Sequence, residues 1–328
     1  MGVIILNYYR NLHIAAAALA VFMLLCGCTQ IDESVPVDAT AVTEEEEKNY
    51  PVTIGSLVFN STPENAASLS PAVTEIAAEL GFSDKLIGRS SYCTYPESIT
   101  SLDTLGSAAY PDVDAIIEKA PQLLISQSPI AKKDITAIEA SGTRVLIIPA
   151  PSSVSGLYEL YSDIYRVFNG ASAEEESVLN SIFEPLEKEF ETDKDLLGSY
   201  VYILSPDLAI ASDSTFAGDF FSHMGTNAAA DRTDNTITAE ELAELDPDCL
   251  ILPPSMDTDD LPEELSDLTA VKNGKVIILD DNSAELLERP TSRIYLAAQY
   301  VSECAAHFGS ENTAENEAVS EETDNSEE

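Results

Sequence analysis

Asp112-Val113-Asp114-Ala115-Ile116-Ile117, closing through Ala120-Pro121 into Gln122-Leu123-Leu124-Ile125, decides the fold, because its plan recurs later in the chain. An acid opens a helix, apolar residues follow, and a proline leads into a short apolar strand. The second copy runs from Thr238-Ala239-Glu240 past Leu242 and Leu245 to Pro247 and Cys249-Leu250-Ile251. Asp114 stands seven residues before Pro121, and Glu240 stands seven residues before Pro247. Each acid therefore sits near a helix start, where the positive end of the helix dipole stabilises a carboxylate. On spacing alone the pair reads either as two well-made helix beginnings or as equivalent surface acids on two similar halves.

Outward from these units, short β-rich runs alternate with helical patterns, which argues for α/β units with largely parallel sheets. Residues 52–54 and 57–60, split by Gly55-Ser56, read as an entry hairpin. A strand at 67–69 leads into a helix with Ser70 as cap, Pro71 in the first turn and Gly81 at its end. Further strands are expected at 86–88, 123–125 and 145–148, and in the second half at 200–204, 209–211, 249–252 and 276–279. Thr238 and Glu241 have the spacing of a capping box. Between the halves, 171–197 reads as one long helix, with Val178, Leu179, Ile182, Phe183, Leu186 and Phe190 along one side and a kink at Pro185. The fold class is α/β: two lobes, each with its own core, bridged by a single long α-helix.

The start of the chain carries an address. Residues 14–25 form an apolar run shorter than the ~20 residues that span a bilayer, as in the core of a signal peptide. The run ends in Leu25-Cys26-Gly27-Cys28, which resembles a bacterial lipobox and implies cleavage before Cys28, acylation of its sulfur and attachment to a membrane. The expected layout is a signal peptide at 1–27, an acidic tether at 28–50, an N-terminal lobe at 51–170, the interlobe helix at 171–197, a C-terminal lobe at 198–308 and an acidic tail at 309–328. Tether and tail hold too little apolar surface to repay the cost of ordering the chain. A net charge of −42 argues against nucleic acid, whose phosphates need clustered Lys and Arg. Beyond Cys28 the mature chain has Cys93, Cys249 and Cys304, an odd number that gives no disulfide framework, although one bridge stays open.

Ser68-Leu69-Ser70-Pro71-Ala72-Val73-Thr74-Glu75, Leu86-Ile87-Gly88, Ser91-Tyr92-Cys93-Thr94-Tyr95-Pro96 and Glu288-Arg289-Pro290-Thr291-Ser292-Arg293, together with the two repeated units, resemble the iron-complex and cobalamin substrate-binding proteins of ABC importers. The likeness covers roughly residues 51–306. It implies the class III periplasmic-binding-protein architecture, two Rossmann-like lobes with the ligand cleft between them, which move less than hinged ones. It also implies that an acid on each lobe meets arginines of the permease, and the matching positions are Asp114 and Glu240. The implied partners are a permease with its ATPase, the membrane through the lipid on Cys28, and a small-molecule metal chelate. The protein is expected to act as an extracytoplasmic monomer.

Ligands of joined lobes lie among loops at the carboxyl ends of strands. Candidate loops are 90–96, 107–111, 126–130, 213–216 and 282–287, and the candidate ligand-binding residues are Tyr92, Tyr110, Gln127, Ser128 and Arg289. Aromatic faces with polar tips suit large, partly apolar chelates, while Tyr95, beside Pro96, reads as packing. Cations are scarce near the expected cleft, where the candidates are Arg89, Lys132, Lys133, Arg289 and Arg293. That scarcity favours a corrinoid such as cobalamin over a ferric siderophore, even though the chain has no tryptophan. Haem remains an alternative, with Tyr92 or Tyr110 as the iron ligand. No intrinsic cofactor and no protein-bound metal are expected, since the histidines are only His13, His223 and His307. No catalytic residue is assigned: Cys93 has no histidine nearby in sequence, and neither a Gly-x-Ser-x-Gly elbow nor a Walker loop occurs. A surface enzyme or sensor module on the same fold is the rival reading.

Overall fold

A computed structural model describes residues 49–308. The signal peptide, Cys28, nearly all of the tether and the 309–328 tail lie outside the described residues. Val52–Ile54 (β1) and Leu57–Phe59 (β2) form the expected antiparallel hairpin, turned at Gly55 with φ +54°. Ala66–Ser68 (β3), Leu86–Arg89 (β4), Leu123–Ser126 (β5) and Arg144–Ile147 (β6) make a parallel sheet in the order β4-β3-β5-β6. Ser199–Tyr202 (β7), Thr226–Asn227 (β8), Cys249–Leu252 (β9) and Val276–Ile278 (β10) make a second parallel sheet, β8-β7-β9-β10. In both sheets the first strand lies between the second and the third. The two lobes thus share one winding, and the α/β expectation is borne out.

The helices follow from their caps and apolar stripes. In Pro71–Glu79 (α1), the Ser70 side chain accepts from the Val73 amide, Pro71 occupies the first turn, and Val73, Ile76 and Ala77 are buried. Val113–Lys119 (α2) is capped by Asp112, and Lys132–Ala140 (α3) leads into β6. Val154–Asn169 (α4) and Glu175–Thr192 (α5) come next, followed in the second lobe by Phe216–Ser222 (α6) and Ala239–Leu245 (α7). In α7 both bonds of the Thr238/Glu241 capping box are present. Thr269–Lys272 (α8), Asp281–Glu288 (α9) and Tyr295–Ala306 (α10) complete the chain. The repeated unit is matched closely. Helices α2 and α7 both have seven residues and both end on a left-handed residue, Ala120 at φ 46° and Asp246 at φ 39°.

Three expectations are corrected. The interlobe helix spans 175–192 rather than 171–197: the chain turns at Gly170 with φ +66°, and the Asp193 amide closes the last turn on the Glu189 carbonyl. Residues 209–211 make only isolated bridges, Ile203–Ile210 and Ala209–Thr236, because the chain folds back through Leu208 at φ 60°. The supposed loop 282–287 is helix α9, capped by the Asp280 side chain on the Ser283 amide.

Each lobe keeps an apolar cluster of its own on one sheet face, but the largest cluster is shared between the lobes. One apolar cluster takes Ile76, Leu123 and Ile125 from the first lobe, Tyr161 and Phe183 from α4 and α5, and Tyr200, Ile251 and Val301 from the second. Alternate residues of the same strands face away from it. Leu124 joins a separate cluster with Ile116 and Ile138, while Leu250 and Leu252 join another with Leu242. Strands buried on both faces are the rule in parallel sheets. Helix α5 packs on α4 and α10, and α4 packs on α1 and β1, so the two long helices lie between the lobes.

Candidate functional site

The site begins where α1 of the first lobe faces α9 and the segment 289–293 of the second. Ser70 starts α1 at the carboxyl end of β3, the strand beside which the winding reverses, where α/β sheets open a crevice for ligands. A chamber of about 240 Å³ lies there, lined by Pro71 and Glu75 of α1, Tyr92 and Tyr95 of the loop after β4, and Glu285 and Arg289 of the second lobe. An adjoining chamber of about 220 Å³ is lined by Gln127, Ser128, Glu288 and Arg289. The two meet at Pro71, Ala72 and Arg289. Tyr92, Gln127, Ser128 and Arg289 are therefore brought together in one cleft. Tyr110 is not. It stands 84% exposed at the tip of the 106–111 turn and borders neither chamber.

The floor of the cleft is a polar tie between lobes. The Glu75 carboxylate accepts from the Thr291 hydroxyl at 2.8 Å and lies 3.1 Å from Arg293 Nε. Burial pushes the Glu75 carboxyl above the usual range. The Thr291 hydrogen bond and the Arg293 charge pull it back, while Glu79 and Glu285 push it up further. One turn along α1, Glu79 accepts from the Ser292 hydroxyl and the Tyr161 hydroxyl, both at 2.6 Å, and the Tyr161 oxygen accepts from the Ser292 amide at 2.8 Å. The Arg293 guanidinium lies 4.1 Å from the centroid of the Tyr95 ring. Tyr95, half exposed, lines the chamber as well as packing beside Pro96, so its role is wider than expected.

Two other sequence candidates have structural work. Arg89 donates to the carbonyls of Ser90, Cys93, Thr100 and Leu102, so it shapes the loop that carries Tyr92 rather than offering charge to the cleft. Lys132 and Lys133 are exposed at the start of α3, and neither borders a chamber. Cys93 is buried with its sulfur 3.2 Å from the Thr74 hydroxyl, and burial raises its thiol pKa. Cys93, Cys249 and Cys304 are all free thiols, so no bridge joins Cys249 to Cys304. Among the described residues no group of three or more His, Cys, Asp or Glu converges as a metal site, and no helix is long and apolar enough to cross a membrane.

Glu75, Thr291, Ser292 and Arg293 all lie inside the sequence motifs named above, yet no local feature of those motifs marks them as a tie. The signal is non-local: two polar motifs far apart in the chain, one ending in an acid and the other in an arginine.

With this geometry in hand, the profile of the periplasmic binding protein family matches residues 67–283. The chain belongs to that family. Among relatives of this periplasmic binding protein, an ABC transporter substrate-binding lipoprotein of Bacillus subtilis (strain 168) is 26% identical over 285 residues, covering 81% of this chain and 88% of its own. A cobalamin-binding protein of Halobacterium salinarum (strain ATCC 29341 / DSM 671 / R1) is 23% identical over 274 residues, covering 77% and 71%. Among solved structures, the periplasmic vitamin B12 binding protein of Vibrio cholerae superposes with a TM-score of 0.56 at 20% identity, covering 74% of this chain and 97% of that one. That likeness is one of fold. It agrees with the two parallel-sheet lobes of this periplasmic binding protein and with a cleft between them.

Proposed function

We propose that this protein is the ligand-capture lipoprotein of an ABC importer, held outside the cell membrane through Cys28, and that it delivers a corrinoid-type metal chelate to a permease driven by its ATPase. The observation that carries the reading is the interlobe cleft. It joins tyrosine faces at Tyr92 and Tyr95 to neutral hydrogen-bonding groups at Gln127 and Ser128, and its two arginines are already paired with glutamates. Such a mixture suits a large ring with apolar faces and a polar, uncharged rim. Relatives named for cobalamin and vitamin B12 binding support it. No residue of the cleft is assigned a catalytic role, and the layout of signal, tether, lobes and tail set out above is part of the proposal.

The decisive experiment is native mass spectrometry, with tyrosine fluorescence quenching, against cobalamin, cobinamide, haem and ferric siderophores. Tight binding of the corrinoids is expected; tight binding of a siderophore alone would overturn the ligand assignment. A second reading, haem, is favoured by one observation: Tyr92 is 60% exposed at the chamber, with its hydroxyl open to ligation. A haem complex whose iron–tyrosinate absorption is lost in Tyr92→Phe would establish it.

The placement of two acids supports docking to the permease. Asp114 and Glu240 are exposed, each in the first turn of the helix that precedes the third strand of its lobe. Paired acids so placed guide orientation on a basic partner more than they add affinity. Asp114→Arg with Glu240→Arg should abolish uptake while ligand binding survives, and normal uptake by that double variant would refute docking. Cys28→Ala should release the protein from membranes; full retention would remove the anchor.

A further inference from the structure

We infer that the cleft selects metal chelates without net negative charge, and that Glu285, with Glu75, sets this selectivity by occupying the guanidinium groups that line the cleft. The inference rests on the interlobe cleft being the ligand site. Arg289 is the cation that borders both chambers, and its Nη1 lies 3.3 Å from Glu285 Oε1 one helical turn back. Arg293 is held by Glu75 at 3.1 Å, and its guanidinium also lies over the Tyr95 ring. Glu288 adds a further carboxylate at the wall of the adjoining chamber. The lining residues of the two chambers thus set three carboxylates, Glu75, Glu285 and Glu288, against the guanidiniums of Arg289 and Arg293.

An incoming carboxylate meets guanidiniums whose charge is already offset by glutamates. To pair with Arg289 it must come beside Glu285, a like charge that opposes it. A neutral amide meets a different surface. Gln127 accepts from the Ser70 hydroxyl at 2.5 Å through its carbonyl, and its amide nitrogen has no hydrogen-bond partner among the described residues. Ser128 and Asn282 add exposed polar groups at the same chambers. The rim recognises amide-bearing ring substituents and repels carboxylate-bearing ones. The substrate class is a chelate with an amidated periphery.

The test compares two corrins on the full chain at neutral pH and low salt: cobinamide, and the same ring with its peripheral amides hydrolysed to carboxylates. Calorimetric titration should show the amidated ring bound at least about tenfold more tightly, with the ratio shrinking as salt screens the repulsion. Glu285→Gln, on an exposed side chain whose change leaves the core intact, should cut that ratio by about tenfold, because Arg289 becomes free to pair with a carboxylate. Glu139→Gln, exposed on α3 away from the cleft, should leave the ratio alone. A melting curve matching wild type would certify the fold of each variant. Equal affinity for the two rings, or a ratio that Glu285→Gln does not move, overturns the charge selectivity while leaving corrinoid capture intact. Binding of neither ring overturns corrinoid capture itself, and the inference with it.

Discussion

Single ionisable groups in this molecule are set by burial and by local donors, and both leave measurable traces. Cys249 is fully buried in the central strand β9, and removal from water pushes its thiol up to about 12. Cys93 is buried and raised by the same cause, whereas Cys304 is only partly covered. Because the thiolate is the reactive form, alkylation of the native protein at pH 8 should modify Cys304 well before Cys93 or Cys249. Peptide mass mapping would read the order, and early labelling of Cys249 would contradict the packing of β9. Asp248 shows the opposite shift. Its carboxylate accepts from the Ser199 hydroxyl at 2.6 Å and the Ser199 amide at 2.9 Å, which holds it below the usual aspartate range. A carboxyl whose pKa is depressed on folding contributes stability above its unfolded value of 3.8 and loses it as pH falls through the folded value. Asp248→Ala should therefore lower the melting temperature at pH 7 and have a smaller effect near pH 3. Equal effects at both pH values would refute the linkage.

Helices and strands differed in how openly the sequence displayed them. The capping residues Ser70 and Thr238 and the proline-led strands β5 and β9 were legible because each carries a local chemical mark. Helix α4 was missed despite its regular stripe of Leu157, Leu160, Tyr161, Ile164 and Phe168. Its cap, Ser153, has Gly156 rather than an acid at the capping-box position, and Asp219 of the second lobe accepts from the Val154 amide at 2.7 Å, a partner that only folding brings near. The glutamates of the cleft were hidden for the same reason. Glu75 gains its meaning from Thr291 and Arg293, far along the chain. Helix α4 also carries the most exacting polar contact between lobes, because the buried Tyr161 hydroxyl joins Glu79 of α1 to the Ser292 amide. Burial and the Glu79 charge raise that phenol well above its ordinary value, so it stays a neutral donor. Tyr161→Phe keeps the ring and deletes both bonds, leaving a buried amide without its acceptor. It should cost about 1–3 kcal/mol in denaturant unfolding. A change within error would mean that water replaces the hydroxyl.

At the scale of the whole molecule, the duplicated plan was readable because both halves reuse one winding, while the merging of their cores was not. Nothing in an apolar stripe says which neighbour it will bury against. The largest cluster runs through both sheets and the helices between them, and the described residues belong to one structural unit. Melting one lobe alone would strip cover from Phe183, whose ring stacks on Tyr158 at 3.8 Å and meets the edge of Tyr161 at 4.9 Å. It would also uncover the inner faces of Leu123 and Ile251, which lie in different sheets but in the same cluster. Neither lobe has a complete inner face of its own, so calorimetry should show one cooperative transition with matching calorimetric and van't Hoff enthalpies. Phe183→Ala, at a fully buried position, removes a keystone common to both lobes and should destabilise by about 3–5 kcal/mol. It should lower that single transition without dividing it. Two resolved transitions in the wild type, or a second one appearing in Phe183→Ala, would mean that each lobe keeps an independent core and that the joining helices are only a strap.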